Sequence, residues 1–151
     1  MRSIFKINKK SSFVIYIVLD TLFVGMGMGV PFFCILFGFP VGWYLAKRLE
    51  LQKLQINDIL SRILKYATLT SIITLAWMLI IWWPMITMLQ NPSVNFADYG
   101  IPLILYDPKL SFIGWIILMI FISPFLQLLM TVFASHTALW RLSKKTMNKN
   151  N

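Results

Sequence analysis

Apolar positions in this chain come in long blocks, and the polar positions between them come in short, mostly basic ones. Residues 13–46 form the first block: 34 positions without Lys, Arg or Glu, in which Asp20 is the only charge. As one helix it would run about 51 Å at about 1.5 Å per residue, against a hydrocarbon core of about 30 Å. Gly25, Gly27, Gly29 and Pro31 supply a break, because glycine frees the backbone and proline disfavours helical geometry at Val30. The pattern therefore predicts two short spans, 12–28 and 31–46, joined as a tight hairpin that either crosses the bilayer or re-enters it. Asp20 and the poor small-x-small match of Gly25-Met26-Gly27 argue against a cleaved signal, so the first span is expected to stay.

The second block, 66–83, is uncharged, and apolar residues continue past Pro84, so a third span is expected over 66–89. Just before it, Ile56, Ile59, Leu60, Ile63 and Leu64 share one helical face while Asn57, Asp58, Ser61, Arg62 and Lys65 take the other. That spacing predicts an amphipathic cytoplasmic extension, lying on the bilayer surface or on the bundle itself, with a partner-binding helix as the sharper alternative. Residues 90–109 are rich in Asn, Pro and Gly and read as an outer loop. A fourth span follows over 110–135, with Asp107 suited to cap its helix and Pro108 to be its first residue. Residues 1–11 and 141–151 are basic ends, the latter expected to be disordered. The fold class is thus all-α and membrane-embedded, with one transmembrane domain over 12–140.

Charge sets the threading. Thirteen of the fourteen Lys and Arg residues lie in three clusters, 2–10, 47–65 and 141–149, and only Lys109 lies elsewhere. Cationic flanks stay on the cytoplasmic side during insertion. Four spans with both ends inside divide the cations thirteen to one, whereas three spans divide them five to nine. The expected location is a cytoplasmic-type cell membrane with both termini inside. Composition agrees: 58% of residues are hydrophobic and 13% charged, far from the roughly one quarter charged of soluble domains. The net charge of +9 flanks the spans rather than lining one face, so it points to the anionic cytoplasmic leaflet and not to nucleic acid.

Among residues that could carry chemistry, Asp20 is the most informative. It lies about 12 Å into its span, where a carboxylate costs roughly 2.5–3.5 kcal/mol. Equal depth in the other spans falls at Gly38, Thr74 and beside Gln127, which predicts a polar layer of Asp20, Thr74 and Gln127. That layer either ties helices together through a neutral Asp20 or serves a proton or ion path. Gly25 with Gly29, and Gly38 with Gly42 and Ala46, form small-residue stripes for close helix contact, within one chain or between copies. Cys34 is the single cysteine, so no intrachain disulfide or cysteine cluster can form. His136 is the single histidine; Ser135 beside it points elsewhere on a helix and makes no nucleophile–base pair. No catalytic residue, cofactor site or metal site is expected. The reading that follows is a non-enzymatic membrane component packing with itself or with a larger membrane partner. Two others stand beside it: a small oligomeric transporter or channel using Asp20, and a holin-like permeabilising protein.

Overall fold

The computed structural model describes residues 8–26, 32–52, 55–91, 93–101, 103 and 105–150. Every regular element among them is helical: α1 (Lys9–Met26), α2 (Phe32–Glu50), α3 (Ile56–Met88), a 3-10 turn (Phe96–Tyr99), α4 (Pro108–Ile117) and α5 (Ser123–Asn150). A π-helical turn, Leu118–Ile122, joins α4 to α5. Pro124 accounts for it: proline lacks an N–H and crowds the carbonyl four residues back, and one wide turn relieves both.

Three helical stretches among the described residues are long and apolar enough to cross a membrane: Phe32–Glu50, Ile56–Met88 and Pro108–Leu142. Helix α1 is not one of them, because its 18 residues include Lys9, Lys10 and Asp20. The glycine-rich break expected between the first two helices falls on residues 27–31, outside the described residues. Gly25 and Met26, the last residues described before it, belong to α1.

Contacts give the helix directions. Ser12 on α1 meets Tyr44 and Arg48 on α2, while Val24 clusters with Cys34, so α1 and α2 run antiparallel. Tyr16 and Asp20 meet Thr70 and Thr74 in the same order, making α1 and α3 parallel. Ile63 packs near Leu139, and Ser71 bonds Pro124, which sets α3 antiparallel to α5. At one end of the bundle Leu49, Ile59 and Ile63 pack with Leu139. At the other, Phe112, Ile116 and Ile120 pack against Trp82, Ile86, Leu89 and Phe96.

The 56–65 segment, expected as an amphipathic extension before the third span, is the first part of α3, continuous with the apolar run. Only Ile59 and Ile63 of its apolar face are buried; Ile56, Leu60 and Leu64 are exposed. The continuity follows from Ile59, Ile63, Ala67, Thr70 and Thr74 all lying on one buried stripe. The tail from 141 onward, expected to be disordered, continues α5 to Asn150. A helix already formed extends without a new nucleation cost, and Lys144 lies 5.6 Å from the ring of Trp140 one turn before it. The start of the last span agrees with expectation: Pro108 opens α4, and the Asp107 side chain accepts the Leu110 N–H at 2.9 Å.

Candidate functional site: a polar layer inside the bundle

Asp20 points away from α1's exposed stripe of Val14, Val18 and Leu22 and is wholly buried. On helix α3 the spacing of Thr70 and Thr74, one turn apart, brings both hydroxyl-bearing positions to the face that meets α1. Thr74 Oγ1 lies 3.0 Å from each carboxyl oxygen of Asp20. The Tyr16 hydroxyl, one turn before Asp20, donates to the Thr70 carbonyl oxygen at 3.0 Å and lies 3.1 Å from Thr74 Oγ1. Gln127 enters from α5, its Nε2 donating to the Tyr16 hydroxyl at 3.3 Å. Asp20, Thr74 and Gln127 are all buried. The structure thus brings Asp20 and Thr74 into direct contact, and Gln127 joins this group with its amide bonded to the Tyr16 hydroxyl.

Tyr16 is the member that sequence reasoning missed. Its signal was present: it stands at i−4 from Asp20, hence on the same helical face, and of positions 16, 17, 23 and 24, one turn to either side, it alone carries a polar side chain. Further polar ties surround the layer. Ser71 Oγ donates to the Pro124 carbonyl at 2.8 Å, satisfying an oxygen near the π-helical turn. Ser135 Oγ lies 2.9 Å from the Gly42 carbonyl oxygen and 2.8 Å from that of Thr131, so its one hydrogen is shared between α2 and its own helix. Two buried side-chain atoms among the described residues have no partner, Gln127 Oε1 and Ser123 Oγ, one turn apart on α5.

Gly38 and Gly42 form the seam between α2 and α5. A Cβ on Gly38 would stand 2.5 Å from the Gln127 carbonyl oxygen and 2.9 Å from Thr131 Oγ1. On Gly42 it would overlap the Thr131 carbonyl oxygen and approach Ala134 Cβ and Ser135 Oγ to 3.0 Å each. Ala46 is fully buried. Gly25 does not share this role within the chain, since a Cβ there would meet nothing within 4 Å. It lies on an exposed part of α1, and its expected companion Gly29 is outside the described residues.

Ser135 is buried and bonded to backbone carbonyls, whereas His136 is exposed, so the two do not converge. No group of three or more His, Cys, Asp or Glu side chains among the described residues could hold a metal ion. Cys34 is buried beside Val24 and Met78. No protein-family model, curated protein or solved structure matches the chain.

Proposed function

We propose that this protein is a non-enzymatic component of a cytoplasmic-type cell membrane that packs with itself or with a larger membrane partner. In this reading it has four spans, α1 and α2 forming a tight hairpin, both termini inside and the anionic cytoplasmic leaflet against its basic end. The cationic and aromatic residues of separate helices support that orientation by gathering at one end. Lys47 and Arg141 lie 5.4 and 5.7 Å from the ring of Trp43, Lys144 lies over Trp140, and Arg48 lies over Tyr44. Such aromatic and basic residues suit a membrane interface. Helix α1 spans the same levels as α2, from Ser12 beside Arg48 to Val24 beside Cys34. At about 27 Å for 18 residues it supports a crossing of a slightly thinned bilayer.

The observation that carries the structural role is the engagement of Asp20 with Thr74 inside the helix bundle. The Thr74 hydroxyl has one hydrogen for four acceptors in reach: the two Asp20 oxygens, the Tyr16 hydroxyl oxygen at 3.1 Å and the Thr70 carbonyl at 3.2 Å. A neutral Asp20 resolves this by donating its own hydrogen to Thr74 Oγ1, which frees the threonine hydrogen for Thr70. The acid then serves as a cross-helix tie, in a solvent where an unsatisfied polar group is costly. The alternative, a small oligomeric transporter or channel using Asp20, has one observation in its favour: Gln127 Oε1 and Ser123 Oγ are buried without partners. Buried orphan atoms of this kind sometimes mark water or ion positions.

Reconstitution into proteoliposomes separates the two. The expected result is no Asp20-dependent proton or monovalent-cation flux, with Asp20→Asn expressed and assembled like the parent. A flux that Asp20→Asn abolishes without loss of assembly would favour the transporter. Native electrophoresis of gently solubilised membranes tests the partner: migration above the monomer position is expected, and a monomer alone would oppose the proposal.

A further inference from the structure

Helices α1, α2 and α3 enclose a groove of about 310 Å³ whose two ends differ in chemistry. Ser12, Tyr44, Arg48, Gln52 and Arg62 line one end, and none of the described residues lining the groove is acidic. Leu19, Phe37, Val41, Leu45 and Leu69 supply most of the remaining wall, interrupted by Tyr16, Tyr66 and Thr70. The polar end lies at the basic end of the bundle, level with the Leu49, Ile59 and Ile63 cluster. We infer that this groove holds one anionic phospholipid, its phosphate at Arg48 and Arg62 and one acyl chain along the apolar wall.

Charge and shape each carry part of this. Guanidinium groups match phosphate oxygens in a planar, two-pronged geometry that ammonium groups do not offer. Arg48 is held in place, its Nη1 donating to Ser12 Oγ at 2.7 Å and to the Tyr44 hydroxyl at 2.8 Å. Little of its side-chain entropy is therefore left to lose on binding. Arg62 is exposed, and its Nη1 makes only a long 3.4 Å bond to Gln52 Oε1. The groove runs from Ser12 to Leu19 on α1 and from Arg62 to Thr70 on α3. These distances are about 10 and 12 Å at about 1.5 Å per residue, against about 15 Å for the hydrocarbon of one leaflet. A phosphate at the arginines thus leaves the upper part of an acyl chain inside the groove and its end in the bilayer. A peptide strand or a soluble metabolite fits less well, since neither joins an anion to a long apolar tail. The inference depends on the proposed threading only for which leaflet supplies the lipid.

Native mass spectrometry of the full chain in detergent, titrated separately with phosphatidylglycerol and phosphatidylcholine, tests it. We expect one phosphatidylglycerol per chain, retained at least ten-fold better than phosphatidylcholine. Arg62→Gln should reduce that preference at least three-fold, and Leu69→Trp, which keeps both charges and fills the groove, should displace the lipid. Lys144→Gln, at the same end but outside the groove, should change neither. Circular dichroism of each variant checks that it folds; should Leu69→Trp fail to fold, Val41→Phe replaces it. Equal retention of both lipids would overturn the inference, as would an equal effect of Lys144→Gln and Arg62→Gln. Full competition by inorganic phosphate alone would overturn it too, by showing an anion site without a lipid. Labelling that put the basic end outside would refute the proposed topology and leave the lipid measurement standing.

Discussion

Gly42→Ala puts the α2–α5 seam to a quantitative test. The added methyl would overlap the Thr131 carbonyl oxygen and approach Ala134 Cβ and Ser135 Oγ to 3.0 Å. None of these is the free end of a flexible chain, and the nearest is backbone in the middle of a helix. Relief therefore requires α2 and α5 to part along their length, at the usual overpacking cost of about 1–3 kcal/mol. Parting also stretches the Ser135–Gly42 bond, a tie of a kind worth about 0.6 kcal/mol in membranes. Alanine returns up to about 1 kcal/mol through its better helix propensity. The net loss is about 1–3 kcal/mol, or about 5- to 140-fold in the folding equilibrium at about 1.4 kcal/mol per factor of ten. Unfolding in mixed micelles of increasing SDS fraction, followed by circular dichroism, measures it. Gly25→Ala is the internal control: with open space around its Cβ it should be neutral or slightly stabilising. An unchanged transition for Gly42→Ala, or an equal loss for Gly25→Ala, would refute the seam.

Three further outcomes are expected. Single cysteines at Gln55 and Asn148 should react with impermeant reagent only from the cytoplasmic side, and one at Ser93 only from outside; outside reaction at Gln55 would sink the four-span proposal. Thr74→Val keeps the side-chain shape but strips the buried Asp20 of its partner, at a cost of about 1–3 kcal/mol. The Asp20→Leu/Thr74→Val pair should recover part of that loss, and strictly additive losses in the SDS titration would deny the coupling. Asp107→Ala should remove the α4 cap at about 1 kcal/mol. It should speed hydrogen exchange at the Leu110 and Ser111 amides, and unchanged exchange would rule the cap out.

Depth and helical period were legible in the sequence; direction and continuity were not. Counting residues from the span ends was enough to bring Asp20 and Thr74 to the same level, because all the helices rise by the same amount per residue. It could not tell which way Gln127 turns, and its amide bonds the Tyr16 hydroxyl. Tyr16 itself was passed over because a tyrosine in a span reads as an aromatic, although its i−4 spacing from Asp20 gave it away. Gly38 and Gly25 looked alike as members of small-residue stripes. What separates them is the neighbour: α5 lies against one and nothing lies against the other. Likewise the charges of the 56–65 segment marked a boundary in composition that the backbone of α3 does not observe, since one buried stripe runs through both parts. The π-helical turn before Pro124 has no periodic signature at all.

The pattern of burial agrees with the proposed membrane setting. Its fully buried positions include Asp20, Thr74, Thr131 and Ala134, while Phe32, Ile80, Phe121, Phe125 and Phe133 face outward. In water that arrangement would expose the apolar surface that normally drives folding. In lipid, large apolar side chains gain little by leaving the surroundings for the interior, so close contact of small residues and interhelical hydrogen bonds must hold the helices. The chain divides these two means between its helices. Helix α2 is fixed to α5 by a glycine seam. Helix α1, with a broad outward stripe of Val14, Val18 and Leu22, is fixed to α3 through Tyr16 and Asp20. A polar tie of that kind has one geometry in which it is satisfied, so it sets the depth and rotation of α1 more sharply than an apolar contact would. In the proposed four-span reading α1 is also the weakest span, carrying an acid and two lysines and falling outside the helices apolar enough to cross by composition. On that reading its tie to α3 through Asp20 is the hold on α1.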